Sequence, residues 1–263
     1  MDIIVCVKRV PDTAGAEVRI AEDGQRIREE ELVFDLNEWD KYAVEEAVRL
    51  KGKHGGTLTA ITLGPEDADD ALRRCFVTGC DRGVRLTDDA FTGSDATAIA
   101  SILHRVIKDT KFDLILTGVQ ASDDGYGQVG PTLAQLLGIP CAGLITHIEI
   151  LDGKARVKRE LEGGLEEEVE IKLPAVLTIQ TGINEPRYVS IRALMKVAER
   201  EITGMNREAL GMSRNEVGEA GSRTRIEGLF LPPPTKEVEI LPGEPEAATA
   251  RLVEILKNKG MSV

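Results

Sequence analysis

An α/β fold with a doubly wound, mostly parallel sheet is predicted by three features of the N-terminal half. Short apolar runs at 3–7, 57–63, 84–86, 114–116 and 140–150 are bounded by glycine, proline or aspartate. They are continuous rather than alternating, as strands buried on both faces are. Segments with helical spacing of apolar residues lie between them. Strand and helix in alternation build a parallel sheet, and ligands collect beyond the carboxyl ends of its strands.

The elements follow in order. Residues 3–7 open the sheet, and Lys8, Arg9, Pro11 and Asp12 stand at its exit. Residues 17–20 and 25–28 read as a small hairpin, with Asp23-Gly24 as a favoured two-residue turn. Residues 33–37 lead into a helix over 38–53 with Ala43, Val44, Ala47 and Val48 on its inner face. Asn37 suits the N-cap of that helix. Trp39, the only tryptophan, falls in its first turn, where it can pack or touch a ligand or partner. Gly64-Pro65 stops the strand at 57–63, and a helix follows over 66–78. Ser94 is the expected cap of a helix running to about 109, with Ala98, Ile99, Ile102, Val106 and Ile107 as its stripe.

Residues 113–138 carry the strongest functional signal. The apolar run 114–116 enters a polar, glycine-rich loop over 120–127 and leaves through Gly130-Pro131-Thr132 into a helix carrying Leu133, Leu136 and Leu137. Proline fits a first helical turn, and Gly138 fits the stop. The first N–H groups of a helix lack internal partners and sit at the positive end of its dipole, which suits an anion. Gly125, Gly127 and Gly130 would let a phosphate approach the backbone. The stretch lacks the Lys-Ser/Thr of a P-loop and the spacing of the Rossmann fingerprint. An ordinary strand-to-helix turn fits it as well. The rim formed by 6–9, 37–40, 63–66 and 118–132 is therefore the candidate site.

Beyond 150 the pattern changes. A basic arm (Lys154, Arg156, Lys158, Arg159) and an acidic arm (Glu166, Glu167, Glu168, Glu170) read as a hairpin joined at Gly163-Gly164. Residues 175–179 form a further strand. Asn184-Glu185-Pro186-Arg187-Tyr188 is neither strand nor helix, since Pro186 keeps Glu185 out of the α region. A helix follows over 189–201, with Ile191, Leu194, Met195 and Ala198 on one face. Residues 206–225 are polar, 231–234 read as stiff and extended, and a last helix spans 247–259. This tail either packs back on its own domain or lies on another chain as an arm, the preferred reading. The expected division is 1–180 as nucleotide-binding domain, 181–203 as recognition segment and 204–263 as arm.

Composition excludes several classes. The 263 residues carry a net charge of −12, which opposes nucleic-acid binding. Hydrophobic residues make up 42% and aromatic ones 3%, so the core is aliphatic. No apolar run approaches the ~18 residues of a membrane span, and no secretory leader is visible, so a cytoplasmic protein is expected. Cys6, Cys75, Cys80 and Cys141 read as reduced core residues, and His54, His104 and His147 are scattered, so no metal site is expected. No nucleophile–base signature is present.

Val7-Lys8-Arg9-Val10, the loop from Gly118 to Gly130, Leu173-Pro174-Ala175-Val176 leading to Asn184–Tyr188 with Met195-Lys196, and the run 43–51 together resemble the small (beta) subunit of electron transfer flavoprotein. The resemblance covers residues 1 to about 200, and the tail loosely. It implies a heterodimer whose redox FAD is bound mainly by the alpha subunit. It further implies AMP in the beta subunit, or a second FAD in electron-bifurcating relatives. Carried over, the nucleotide contacts are Cys6, Asn37, Glu38, Trp39, Asp40, Leu63, Gly118, Gln120, Ala121, Ser122, Asp123, Asp124, Gly127, Gln128, Val129, Gly130 and Thr132. Asp123 and Asp124 suit sugar or backbone hydrogen bonding better than phosphate. Residues 181–203 match the loop that docks partner dehydrogenases of the acyl-CoA kind, with Ile191 as its apolar anchor among Asn184, Glu185, Pro186, Arg187, Tyr188 and Met195. A quinone-linked oxidoreductase is the implied downstream acceptor. Tyr126 and Gly127 stand where the family often has cysteine and asparagine, and 128–131 is closer to bifurcating forms. AMP and FAD therefore both remain open, as does a stand-alone adenine-nucleotide sensor of similar fold.

Overall fold

The structure, a computed structural model, describes residues 1–233, 238 and 240–261. Its centre is a nine-stranded sheet in the order β11-β5-β4-β1-β6-β10-β7-β8-β9. Strands β1 (Ile3–Val7), β4 (Leu58–Leu63), β5 (Arg82–Leu86), β6 (Leu114–Gly118), β10 (Ala175–Ile179) and β11 (Thr203–Met205) pair in parallel, and β7 (Cys141–Leu151) is parallel to β10. Every residue of β1 and β10 is buried, as continuous apolar runs require.

Helices α1 (Glu38–His54) and α2 (Asp69–Thr78) cover one face, packing Ala43, Val44 and Leu72 on Ile3, Val5 and Val7. Helices α3 (Ala96–Ile107) and α4 (Val129–Leu137) cover the other, packing Ile102 and Leu133 on Ile4, Ile115 and Val176. The chain runs from β1 outward through β4 to β5, then returns to place β6 on β1's other side. The carboxyl ends of β1 and β6 thus flank the point where winding reverses, the usual ligand crevice of such sheets.

Strands β8 (Lys154–Leu161) and β9 (Leu165–Lys172) extend the sheet as the charged hairpin, with Arg156 opposite Glu170 at 3.2 Å and Arg159 near Glu167 at 3.5 Å. Several expectations are corrected. The hairpin at 17–28 keeps only the Ile20–Ile27 bridge, because its arms are polar on both faces and have nothing to cover. The paired strands lie outside it, as β2 (Arg9–Asp12) with β3 (Val33–Leu36). Asp95, not Ser94, caps α3, accepting from the N–H groups of Thr97 and Ala98 at 3.0 and 2.9 Å. Leu136 is 42% exposed rather than core. Cys141 is exposed, whereas Cys6, Cys75 and Cys80 are buried. Helix α5 spans only Ile191–Lys196, not 189–201.

Of the expected arm, residues 204–224 lie against the domain. Met205 pairs with Leu86 through β11, and Leu210, Met212 and Val217 are buried in the core of the α3–α4 face. A short helix α6 (Gly218–Gly221) sits there. From 226 onward no described residue is buried, helix α7 (Pro245–Asn258) included. In the stretch read as stiff, Pro234 lies outside the described residues. Among the described residues no helix is long and apolar enough to cross a membrane.

Candidate functional site

A cleft with a cavity volume of about 180 Å³ lies at the reversal point. Its wall is apolar: Cys6 of β1, Ile61 and Leu63 of β4, and Ile99 and Leu103 of α3. Its rim is polar: Lys8, Asn37, Gln120, Asp124 and Gln128.

Asp40 holds the two flanking strand ends. It is buried in the first turn of α1, where its two carboxylate oxygens accept the N–H of Lys8 at 2.7 Å and of Gly118 at 3.0 Å. Burial pushes its pKa up to about 7, against the Lys8 N–H, Asn37 and the Gly118 N–H, which favour the charged form. Gly118 is needed beside it, because a Cβ there would collide with the Asp40 carboxylate and lie 2.7 Å from the Trp39 Cβ.

Asn37 stands at the N-cap of α1 but does not cap it. Its side-chain amide donates to the Gln120 carbonyl at 2.8 Å, and its side-chain oxygen accepts the Ser122 N–H at 3.1 Å. The residue therefore fastens the glycine loop to the helix. Lys8 does the same from β1, its ammonium lying 2.6 Å from Asp123 and 2.9 Å from Asp124. Burial works against that ammonium, but the two aspartates outweigh it and keep its pKa raised. Lys8 lies in the rim read at 6–9 but is absent from the contacts that the resemblance implies. Its signal was its place right after the first buried strand.

Past the loop, α4 begins at Val129. The N–H groups of Val129 and Gly130 donate to no acceptor among the described residues, and both residues line the cleft. Free amides at the positive end of a helix, beside an apolar wall, fit the phosphate and base of a nucleotide. Gly130 sits tight against β6 and β10, since a Cβ would meet Thr178 Cγ2 at 2.6 Å and Thr117 Oγ1 at 2.9 Å. Cys6 has burial, then the Asp40 charge, pushing its thiol up to about 12, so it is a wall and not a thiolate.

The cleft thus gathers Cys6, Asn37, Asp40, Leu63, Gly118, Gln120, Ala121, Asp124, Gly127, Gln128, Val129 and Gly130. Glu38, Trp39, Ser122, Asp123 and Thr132 stand outside its lining. Glu38 is exposed, and Trp39 donates its indole N–H to Gln180 at 2.9 Å. Ile61, Ala96, Ile99 and Leu103 line it although they lie outside the rim read from sequence, while Lys8 and Tyr126, within that rim, line it too. The α3 residues are ordinary helical core in sequence, and only topology brings them to the site.

The second stretch lies elsewhere, on the α1–α2 face. Asn184 and Arg187 turn back onto α1, while Glu185 is exposed and Pro186 half-buried. Tyr188, Ile191 and Met195 are 88, 77 and 74% exposed.

A doubly wound sheet with its cleft at the strand reversal defines an α/β protein of the ligand-binding, open-sheet class. Within that class, the electron transfer flavoprotein domain matches residues 26–210. The chain belongs to the electron transfer flavoprotein family. It is 38% identical over 262 residues to the electron transfer flavoprotein subunit beta of Methylophilus methylotrophus, covering 97% of this chain and 98% of that one. Identity to the same subunit of Bacillus subtilis is 37% over 260 residues, with 98% of each chain covered. The CarD subunit of the caffeyl-CoA reductase-Etf complex of Acetobacterium woodii is 38% identical over 263 residues, covering 98% and 99%.

Proposed function

We propose that this chain is the beta subunit of a two-chain electron carrier. It holds AMP in the cleft as a structural nucleotide and scaffolds an alpha subunit that binds most of the redox FAD. It supplies no acid, base or nucleophile. Electrons from a dehydrogenase of the acyl-CoA kind pass through the alpha-bound FAD to a quinone-linked or other acceptor. Segment 181–203 docks the dehydrogenase, with Ile191 as anchor.

The observation that carries the nucleotide reading is the pair of free amides, Val129 and Gly130, at the mouth of an apolar cleft. Charge narrows the ligand. The cleft's one ammonium is already matched to Asp123 and Asp124, and Asp40 lies below. A triphosphate would meet too little positive charge, whereas one phosphate can rest on amides. Gly127, Gln128, Val129 and Gly130 would hold the phosphate end. Cys6 and Leu63 would contact the base, with Asn37, Asp40, Gly118, Gln120, Ala121 and Asp124 framing the sugar side.

A relative from a caffeyl-CoA reductase complex keeps a second reading in view, with a second FAD in this cleft and NADH as donor. One FAD per heterodimer supports the carrier, and two support bifurcation. Ile191→Ala is expected to raise the KM for an acyl-CoA dehydrogenase about tenfold, as loss of a central apolar anchor does. Flavin content should stay intact. Loss of flavin, with KM unmoved, would contradict this division of labour.

A further inference from the structure

Segment 184–200 is held at both ends and bare in the middle. At its start, Arg187 places three N–H groups on one carboxylate: Nε and Nη2 reach Glu45 at 2.7 and 2.9 Å, and the backbone N–H at 3.3 Å. Asn184 donates to the Tyr42 carbonyl and to Glu46, both at 3.0 Å. Tyr42, Glu45 and Glu46 are one helical turn apart on α1, so they form a single face. At its end, Arg73 of α2 donates to the Ala198 carbonyl at 2.5 Å, Arg200 donates to the Asp81 carbonyl at 2.6 Å, and the Arg200 guanidinium stacks 4.3 Å over Phe76. Between these ties stand the exposed Tyr188, Ile191 and Met195.

Glu45 is only 4% exposed, which is unusual for a glutamate on an amphipathic helix. Burial is tolerated because the fork of Arg187 satisfies both oxygens, with Arg49 adding a 3.3 Å contact. The fold therefore commits a buried charge to a loop that contributes little to the core. Such a group fixes geometry more than it adds stability.

We infer that Glu45 and Glu46 of α1 are positioning residues that pre-organise segment 184–196, so that Tyr188, Ile191 and Met195 meet a protein partner in one conformation. The inference rests on the docking role proposed for this segment. Its physical effect is to lower the ordering cost of association. Without the latch the start of the segment keeps only the Asn184 bond to the Tyr42 carbonyl.

Amide hydrogen exchange on the full chain, purified with any second subunit it retains, tests this. In Glu45→Gln, exchange over 186–196 is expected to rise at least tenfold while β1, β6 and α4 keep their protection. Arg187→Gln, altered on the surface side, is expected to give the same rise, and the double variant no more than either single one. Unchanged exchange over 186–196, or a rise shared by β1 and β6, would overturn the latch. Docking is read separately, as the KM for an acyl-CoA dehydrogenase used as probe. A loosened segment with KM unmoved upholds the latch and removes the docking reading.

Discussion

Asp40 concentrates the physics of the site in one carboxyl group. An aspartate in an unfolded chain titrates near 3.9, and burial moves Asp40 to about 7. Between those values the folded protein binds more protons than the unfolded one. Its contribution to stability therefore falls as pH rises from about 4 to 7, then levels off. The full effect is about 4 kcal/mol at ~1.4 kcal/mol per pKa unit. Asp40→Asn should cost ~1–3 kcal/mol at the acid end of this window, because its amide N–H₂ must face one of two N–H donors, and the cost should shrink as pH rises. It should also flatten the slope over this window. Urea unfolding of both proteins at pH 5 and pH 8 checks this; equal slopes in the two would contradict it. Groups such as Glu45, Asp81 and Asp95 have lowered pKa values, with pairing outweighing burial, and they add the opposite slope only at more acid pH.

Single elements show where the sequence was legible. The strand runs, the N-terminal bounds of α1 and the Gly138 stop are visible in sequence because each follows from local chemistry. The charged hairpin was legible for the same reason, since opposite charges stood in register. The cap of α3 was not. Ser94-Asp95 offers two caps, and the choice is made by the distant tail. Asp95 Oδ2 also accepts Arg223 N–H at 2.7 Å and Thr224 N–H at 2.9 Å, while Ser94 Oγ accepts Gly218 N–H at 3.0 Å. Asn37 failed as a cap by the same logic, its side chain being drawn to the glycine loop. Asp95→Ala is expected to cost about 2 kcal/mol, the upper end for a lost cap. It should also release 222–224, so that limited trypsin cleaves at Arg223 or Arg225 far faster than in the parent. Unchanged cleavage would show that the tail holds itself.

At the scale of the whole molecule the tail divides at about 225. Upstream, Leu210, Met212 and Val217 fill the α3–α4 face; downstream, Phe230, Leu231 and Leu252 are exposed. Sequence could not place this division, because three apolar residues in a polar stretch carry no period. Removal of 226–263 is expected to leave the melting midpoint within a few degrees, since none of its described residues is buried. Retention of the alpha subunit should be lost, as the arm reading requires. A truncated chain that still retains alpha would contradict that reading.

The central claim is that the strand-reversal cleft binds a nucleotide by its phosphate. The most direct measurement releases and identifies nucleotides from the full chain purified with its alpha subunit. One nucleotide per copy of this chain is expected beyond the single FAD of the pair: AMP for the carrier, a second FAD for a bifurcating relative. A well-folded pair yielding one FAD and nothing more would contradict it.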